Sequence, residues 1–358
     1  MEYYIDIQRK KRNTAGLKAP EDIAELCKRR GMKKYEFPLL TNKKGIMQKV
    51  WILFIGSFYW IKLLFLLKKN DIILYQHPMY GHRISNFFVP IIKKIKKSKF
   101  IVVIHDLESL RKGISGTIDY NKKTSNIADI KLLNHFDRII CHNEKMKEYL
   151  ISKNFIEKKL VCLEIFDYLT SIQRMQPQKS DNPSIAIAGY LAKEKSGYIY
   201  KILDKKNKNL VINLYGNKYD ETIKKEHMVY HGSFTPEELP NYLIGDFGLV
   251  WDGLEANSCV GNTGEYLKYN NPHKTSLYLS SNMPVIVWKK AAIADFIIKN
   301  NVGIVVDNLF ELEEKISSIT LKEYEQICKN TQIISKQLKE GYYFYKALET
   351  CLKSLEML

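Results

Sequence analysis

Lys274, Thr275 and Ser276 follow an Asn-Asn-Pro turn in YNNPHKTSLYLSSNMPVIVWKKAAIADFIIKNNVGIVV, the stretch that begins at Tyr269. The pattern reads as a turn, a helix, a short apolar strand, a second helix and another strand. Free backbone N–H groups at a helix start favour phosphate, and a lysine and hydroxyls there add charge-assisted hydrogen bonds. Asn271 lies in the turn just before them. Two more signals resemble this one. Gly189 and Tyr190 end the strand-like SIAIAGYL, with Lys193 close behind, and Tyr215 and Gly216 end NLVINLYG. Glycine at a strand end lets the backbone approach a ligand closely. Singly, each glycine is a turn residue and each hydroxyl a helix cap. Together they converge on one edge of one predicted sheet, and the chemistry they suit is binding of a diphosphate.

The first half of the chain offers other candidates. KFIVVIHDLESLR places His105 and Asp106 at a strand end, where either could act as general base toward a hydroxyl nucleophile. The alternative there is Asp106 as a helix cap beside a half-buried His105. LYQHPMYGHR adds His77 and His82. The loop NTAGLKAPEDI, with Thr14 and Gly16, either closes over a ligand or simply turns. There is no Asp-x-Asp pair at a strand end and no Cys/His cluster at metal spacing, so no metal or other cofactor is expected; lysine and helix amides would neutralise the phosphate.

The elements that must position these residues alternate in type. EYYIDIQ, DIILYQHP, KFIVVIHD, FDRIICHN and KLVCLEI read as strands separated by helical segments. Several are continuous apolar runs, the mark of parallel strands covered on both faces. A polar stretch with two prolines, DYLTSIQRMQPQKSDNPS, interrupts the pattern, which restarts at SIAIAGYL. The expected domains are 1–170, a linker 171–183, a second domain 184–328, and a C-terminal helix 329–358. The fold class is α/β: two Rossmann-like domains facing an interdomain cleft, with ligands at the carboxyl ends of strands.

The 358 residues carry 56 Lys and Arg against 39 Asp and Glu, a net charge of +17. Such a surface suits a phosphorylated substrate, an anionic membrane or nucleic acid; the last is disfavoured, because no basic segment is interleaved with aromatics at recognition spacing. The 6 cysteines are scattered, as expected of reduced thiols in a cytoplasmic protein, and MEYYIDIQRKKRN does not read as a signal peptide. Residues 50–67, VWILFIGSFYWIKLLFLL, are borderline for a spanning helix and carry Lys62. The favoured reading is a helix buried between a sheet and other helices; a peripheral contact at the inner membrane face is the second.

The segments IHDLESLR, EKMKEYLISKNF, LEIFDYL, GLVWDG and above all YNNPHKTSLYLSSNMPVIVWKKAAIADFI resemble the glucosyltransferase 3 family, which extends the O-linked glycan of serine-rich-repeat adhesins. They are also similar to galactofuranosyltransferase-type proteins, a related branch. The resemblance implies a GT-B fold, a UDP-sugar donor held mainly by the second domain, no required metal and a homotetramer. It places Lys274 and Thr275 on the diphosphate with Asn271 nearby, Tyr215 and the segment Gly189–Lys193 at the nucleotide, and the Thr14–Gly16 loop approaching from the first domain. The acceptor implied is a GlcNAc-modified Ser/Thr-rich glycoprotein, to which a second sugar is added by protein O-glycosylation. A hexosyltransferase of cell-surface polysaccharide acting on a lipid-linked acceptor is the alternative, and a non-catalytic sugar-nucleotide-binding partner is another. Retaining enzymes of this fold often carry Glu-x7-Glu before the PVI strand, where this chain has Tyr269 and Leu277. Those glutamates do not carry over, which leaves His105 and Asp106 as the candidates for acceptor activation.

Overall fold

The computed structural model describes residues 1–8, 15–40, 46–79, 82–113, 126–172, 179–203, 207–223 and 226–356. It divides into two compact units, one of Met1–Arg12, Pro20–Leu163 and Phe344–Leu358, the other of Asn13–Ala19 and Glu164–Tyr343.

The first unit holds six parallel strands: β1 (Glu2–Ile7), β2 (Lys33–Phe37), β3 (Ile72–His77), β4 (Lys99–Ile104), β5 (Arg138–Cys141) and β6 (Leu160–Cys162). Their order is β2-β1-β3-β4-β5-β6. The helices between them are α1 (Lys18–Arg29), α2 (Ile46–Leu66), α3 (His82–Lys96), α4 (Glu108–Gly113), α5 (Asn126–Leu133) and α6 (Glu144–Ser152). All four residues of β5, and all of β4 after Lys99, are buried. That is why these strands read as unbroken apolar runs: helices cover both faces of a parallel sheet.

The second unit has β7 (Ser184–Tyr190), β8 (Val211–Asn217), β9 (Met228–Tyr230), β10 (Phe247–Val250), β11 (Val285–Trp288) and β12 (Gly303–Val306). Its helices are α7 (Lys193–Ser196), α8 (Leu239–Tyr242), α9 (Gly261–Tyr266), α10 (His273–Ser280), α11 (Ala294–Asn300), α12 (Leu312–Ser318) and α13 (Leu321–Glu340). The strands are parallel in the order β12-β11-β10-β7-β8-β9. Counted within the unit this is the doubly wound order 3-2-1-4-5-6 read from the other edge, and the direction in which successive strands are added reverses between β7 and β10.

Two expectations change. The single C-terminal helix is two, α13 and α14 (Tyr342–Glu356), because Gly341 closes α13 in the left-handed region at φ 80. The apolar 50–67 segment does form a helix, α2, but it is not buried between layers. Only 17% of its Lys49–Leu66 window is buried. One face packs: Trp60 stacks on Phe88 of α3 and on Tyr75 of β3. The opposite face stays exposed, because among the described residues nothing covers it.

Asp246 organises the entry to the second sheet, accepting bonds from the N–H and hydroxyl of both Ser180 and Ser184 at 2.7–3.0 Å. Between layers, the ring of Tyr278 lies on Gly248 of β10, where an added Cβ would meet it at 2.1 Å. Gly248→Ala should therefore lower unfolding free energy by about 1–3 kcal/mol, the usual cost of overpacking. Denaturant midpoints compared at equal slope check this.

Candidate functional site

At the carboxyl edge of the second sheet, β7 and β8 end side by side with Gly189 paired to Gly216. Both lie at positive φ, 142 and 141, and a Cβ on Gly216 would stand 1.7 Å from the Gly189 carbonyl oxygen. No side chain fits at Gly216, and at Gly189, where the space is open, the positive φ favours glycine, so both strand ends carry no side chain. Tyr190 beyond them is exposed.

β7 and β10 pair only through Phe247–Ile185 and Gly248–Ala186, then part. The Ala188 N–H, left without a strand partner on that side, donates to the Tyr278 hydroxyl at 2.7 Å. Tyr278 thereby wedges α10 against the sheet at its switch point, where ligands of open α/β sheets bind. The N-terminus of α10 is tied to the end of β10 by Lys274, whose Nζ donates to the Trp251 carbonyl at 2.8 Å and to Asp252 Oδ1 at 3.1 Å. Two of its three donors are thus used, and the Lys274 and Asp252 side chains are 18% and 14% exposed.

The three residues that open α10 diverge. Lys274 reaches β10, while Ser276 is buried and its hydroxyl donates to the Phe166 carbonyl at 2.6 Å. Thr275 is fully buried, and its Oγ1 has no hydrogen-bond partner. Asn271 is buried and its Nδ2 donates to the Glu164 carbonyl at 3.0 Å, so Asn271 and Ser276 both anchor the 164–166 segment. Asn270 Oδ1 and His273 Nδ1 at this helix start, and Asn262 Oδ1 on α9, are also buried and, like Thr275, without a partner. Among the described residues of this unit, every buried side-chain atom so stranded falls between Asn262 and Thr275. A buried polar atom left unmatched costs about 1–3 kcal/mol, and four between Asn262 and Thr275 single this stretch out within the unit. Burial holds the His273 imidazole neutral, its pKa lowered to about 4.

The other candidates sit as follows. Tyr215 is buried, its ring stacked on His231 at 4.7 Å and its hydroxyl accepting from the Ile244 N–H. Lys193 is exposed and bonded to Asp220 at 2.6 Å, its Nζ 5.4 Å from the Tyr200 ring centroid. Gly16 is exposed with open space around it, and Thr14 lies outside the described residues. His105 and Asp106 belong to the first unit. His105 Nε2 meets Gln76 Oε1 at 2.8 Å, and the Gln76 amide donates to the Pro20 carbonyl at 3.3 Å. Asp106 Oδ2 lies 3.6 Å from Arg111 Nη1. His77 is fully buried, with Nε2 3.4 Å from Asp129. Among the described residues no three His, Cys, Asp or Glu side chains converge as a metal site.

Sequence reasoning missed Asp252, Asn262, Asn270 and His273. The flanking glycines of GNTGEY and the Asn-Asn-Pro-His run were the available signals; asparagines read as turn formers there.

Thr275→Val should leave the free protein as stable or slightly more stable, since it deletes a stranded hydroxyl, yet weaken UDP binding roughly tenfold. Thermal melts with and without UDP separate the two effects. For His273 the folded pKa is depressed, so the unfolded chain takes up the proton first as pH falls. Stability should be full above the free imidazole pKa of about 6.5 and decline from there toward pH 4. His273→Gln should flatten that part of the curve.

Residues 2–165 match the Glucosyltransferase 3-like, N-terminal domain family, and residues 185–351 its C-terminal domain counterpart. The chain is 33% identical to beta-1,6-galactofuranosyltransferase WbbI of Escherichia coli (strain K12), over 99% of each. It is 27% identical to Glucosyltransferase 3 of Streptococcus gordonii, over 78% of each. Among solved structures, the apo lipopolysaccharide outer core galactosyltransferase WaaB superposes with a TM-score of 0.63 at 9% identity, covering 98% of this chain and 99% of that one. Sucrose-phosphate synthase from Thermosynechococcus elongatus gives 0.61 at 10% identity, covering 99% and 97%. These likenesses, with the two parallel sheets, give the fold as GT-B. On the two domain matches and the end-to-end relative, the chain belongs to the glucosyltransferase 3-like family of glycosyltransferases.

Proposed function

We propose that this enzyme moves a hexose from a UDP-sugar to a growing cell-surface glycan on a lipid-linked acceptor. The observation that carries the donor half is the set of stranded polar atoms between Asn262 and Thr275, with Lys274 among them and the paired glycines Gly189 and Gly216 ending strands of the same sheet. A nucleoside diphosphate supplies what they lack. Its phosphate oxygens would accept from the third Lys274 donor, the Thr275 hydroxyl and the first amides of α10. Its hydroxyls would donate to Asn262 and Asn270. Asp252 would hold Lys274 in place, and developing charge on the leaving diphosphate would be met by lysine and helix amides, without a metal. Lys193 and Tyr190 would flank the nucleotide, while Tyr215, buried against His231, would support the end of β8. His105, with Asp106 beside it, would serve as general base toward the acceptor hydroxyl.

Hexose transfer is supported by the match to the galactofuranosyltransferase, which runs end to end at the higher identity, and a lipid-linked acceptor suits the exposed apolar face of α2 and the net positive charge. The second reading is addition of the second sugar to a GlcNAc-modified serine-rich-repeat glycoprotein by a cytoplasmic homotetramer. The match of both domains to the glucosyltransferase 3-like family favours it.

Lys274→Ala should weaken UDP binding by about 1.5–3 kcal/mol, the worth of a hydrogen bond to a charged group, as read by calorimetry. Unchanged affinity would reject the diphosphate assignment. A panel of UDP-sugars, offered with either a lipid-linked glycan or a GlcNAc-bearing peptide, decides between the acceptors. Transfer to the peptide alone would overturn the first reading.

A further inference from the structure

The exposed face of α2 is a heptad-spaced stripe: Trp51, Phe54, Phe58, Ile61 and Phe65, with Leu53 beside it, are all exposed. Phe54 and Phe65 are 69% and 80% exposed. α3, alongside, exposes Phe87 and Ile95. An apolar surface of this extent marks a contact with something else. What that is follows from charge. Between residues 38 and 105 the sequence has one acidic residue, Asp71. It is buried and holds the N-terminal ammonium at 2.7 Å. Lysines, in contrast, surround the stripe. Lys49 and Lys62 are exposed on α2, and Lys68 and Lys69 follow it. Lys94 and Lys97 are exposed at the end of α3. The Asn70 N–H donates to the Lys96 carbonyl at 2.9 Å, which brings the carboxyl ends of the two helices together.

We infer that the α2–α3 face docks the protein on an anionic lipid bilayer, α2 lying in the plane of the interface. Aromatic and aliphatic side chains enter the headgroup boundary while the lysines meet acidic lipids. A second copy of the chain fits less well, because it would bring the same positive field against itself with no acidic side chain on either helix to answer it. Spanning is excluded by the packed face of α2. Trp60, Leu63 and Leu67 are buried, Trp60 is stacked on Phe88 and Tyr75, and a Cβ at Gly56 would meet Ile84 at 2.6 Å. Crossing a bilayer would strip those contacts from the domain. The docking stands on the first unit alone and is independent of which acceptor is used.

Trp51 offers a built-in probe, being 61% exposed while Trp60, Trp251 and Trp288 are at most 3% exposed. The full-length protein is mixed with vesicles of phosphatidylcholine alone or of phosphatidylcholine with phosphatidylglycerol, then sedimented, and tryptophan emission is recorded. The expected result is binding to the anionic vesicles, at least tenfold weaker on neutral ones or at high salt, with a blue shift that Trp51→Phe abolishes. Phe54→Ser with Phe58→Ser should lower vesicle binding more than tenfold while UDP affinity and melting temperature stay unchanged. No binding to anionic vesicles, or equal binding by the double variant, would overturn the inference. So would a concentration-dependent oligomer that the double variant dissolves in the absence of lipid, which would show that a second copy covers the face. UDP affinity and transfer to a soluble acceptor are read on the same samples, so failure of the donor assignment and failure of docking give different patterns.

Discussion

The contact on which the second unit depends is Tyr278 pressed onto Gly248, its hydroxyl taking the Ala188 amide. A helix can approach a strand that closely only where the strand carries no side chain, and it can pry two parallel strands apart only if it satisfies the amide that it frees. Tyr278 does both. It sets where α10 begins relative to the ends of β7 and β10, and so sets everything that α10 presents at its first turn.

The stranded atoms follow from that placement. With Lys274 drawn to Trp251 and Asp252, and Ser276 and Asn271 drawn to the 164–166 segment, Thr275 is held in a buried spot with nothing to bond. A chain selected for stability alone would put valine there and a smaller apolar residue for His273. Keeping polar atoms buried and unmatched costs stability, and such costs concentrate at binding sites, where a ligand removes them.

The first unit departs from the folding rule in the opposite sense. It leaves large apolar side chains on the outside, along α2, and gathers lysines around them with scarcely a carboxylate among them. A buried polar group without a partner and an exposed aromatic stripe are the same kind of signal. Each is a place where the lone chain is not at its own free-energy optimum, and each names by its chemistry what would complete it.

Much of the fold was legible because burial on both faces writes itself into a strand as an unbroken apolar run: KFIVVI and RIIC could hardly be anything else. The glycines that end β7 and β8 were legible for the same reason, since glycine at a strand end has few other uses. Amphipathic period was not enough for α2, because an apolar helix looks alike whether it is covered on one side or on two. The break at Gly341 was hidden in a long helical pattern that a single glycine does not interrupt by itself. At the site, lysine and threonine stood out by type, whereas Asn262, Asn270 and His273 did not. Residue type is local, and it determined which elements form and which donors and acceptors each carries. Whether a given donor or acceptor is matched depends on groups far along the chain, as Lys274 depends on Trp251 and Ser276 on Phe166. Only the tertiary structure decides that pairing, because hydrogen bonds are settled by distance in space.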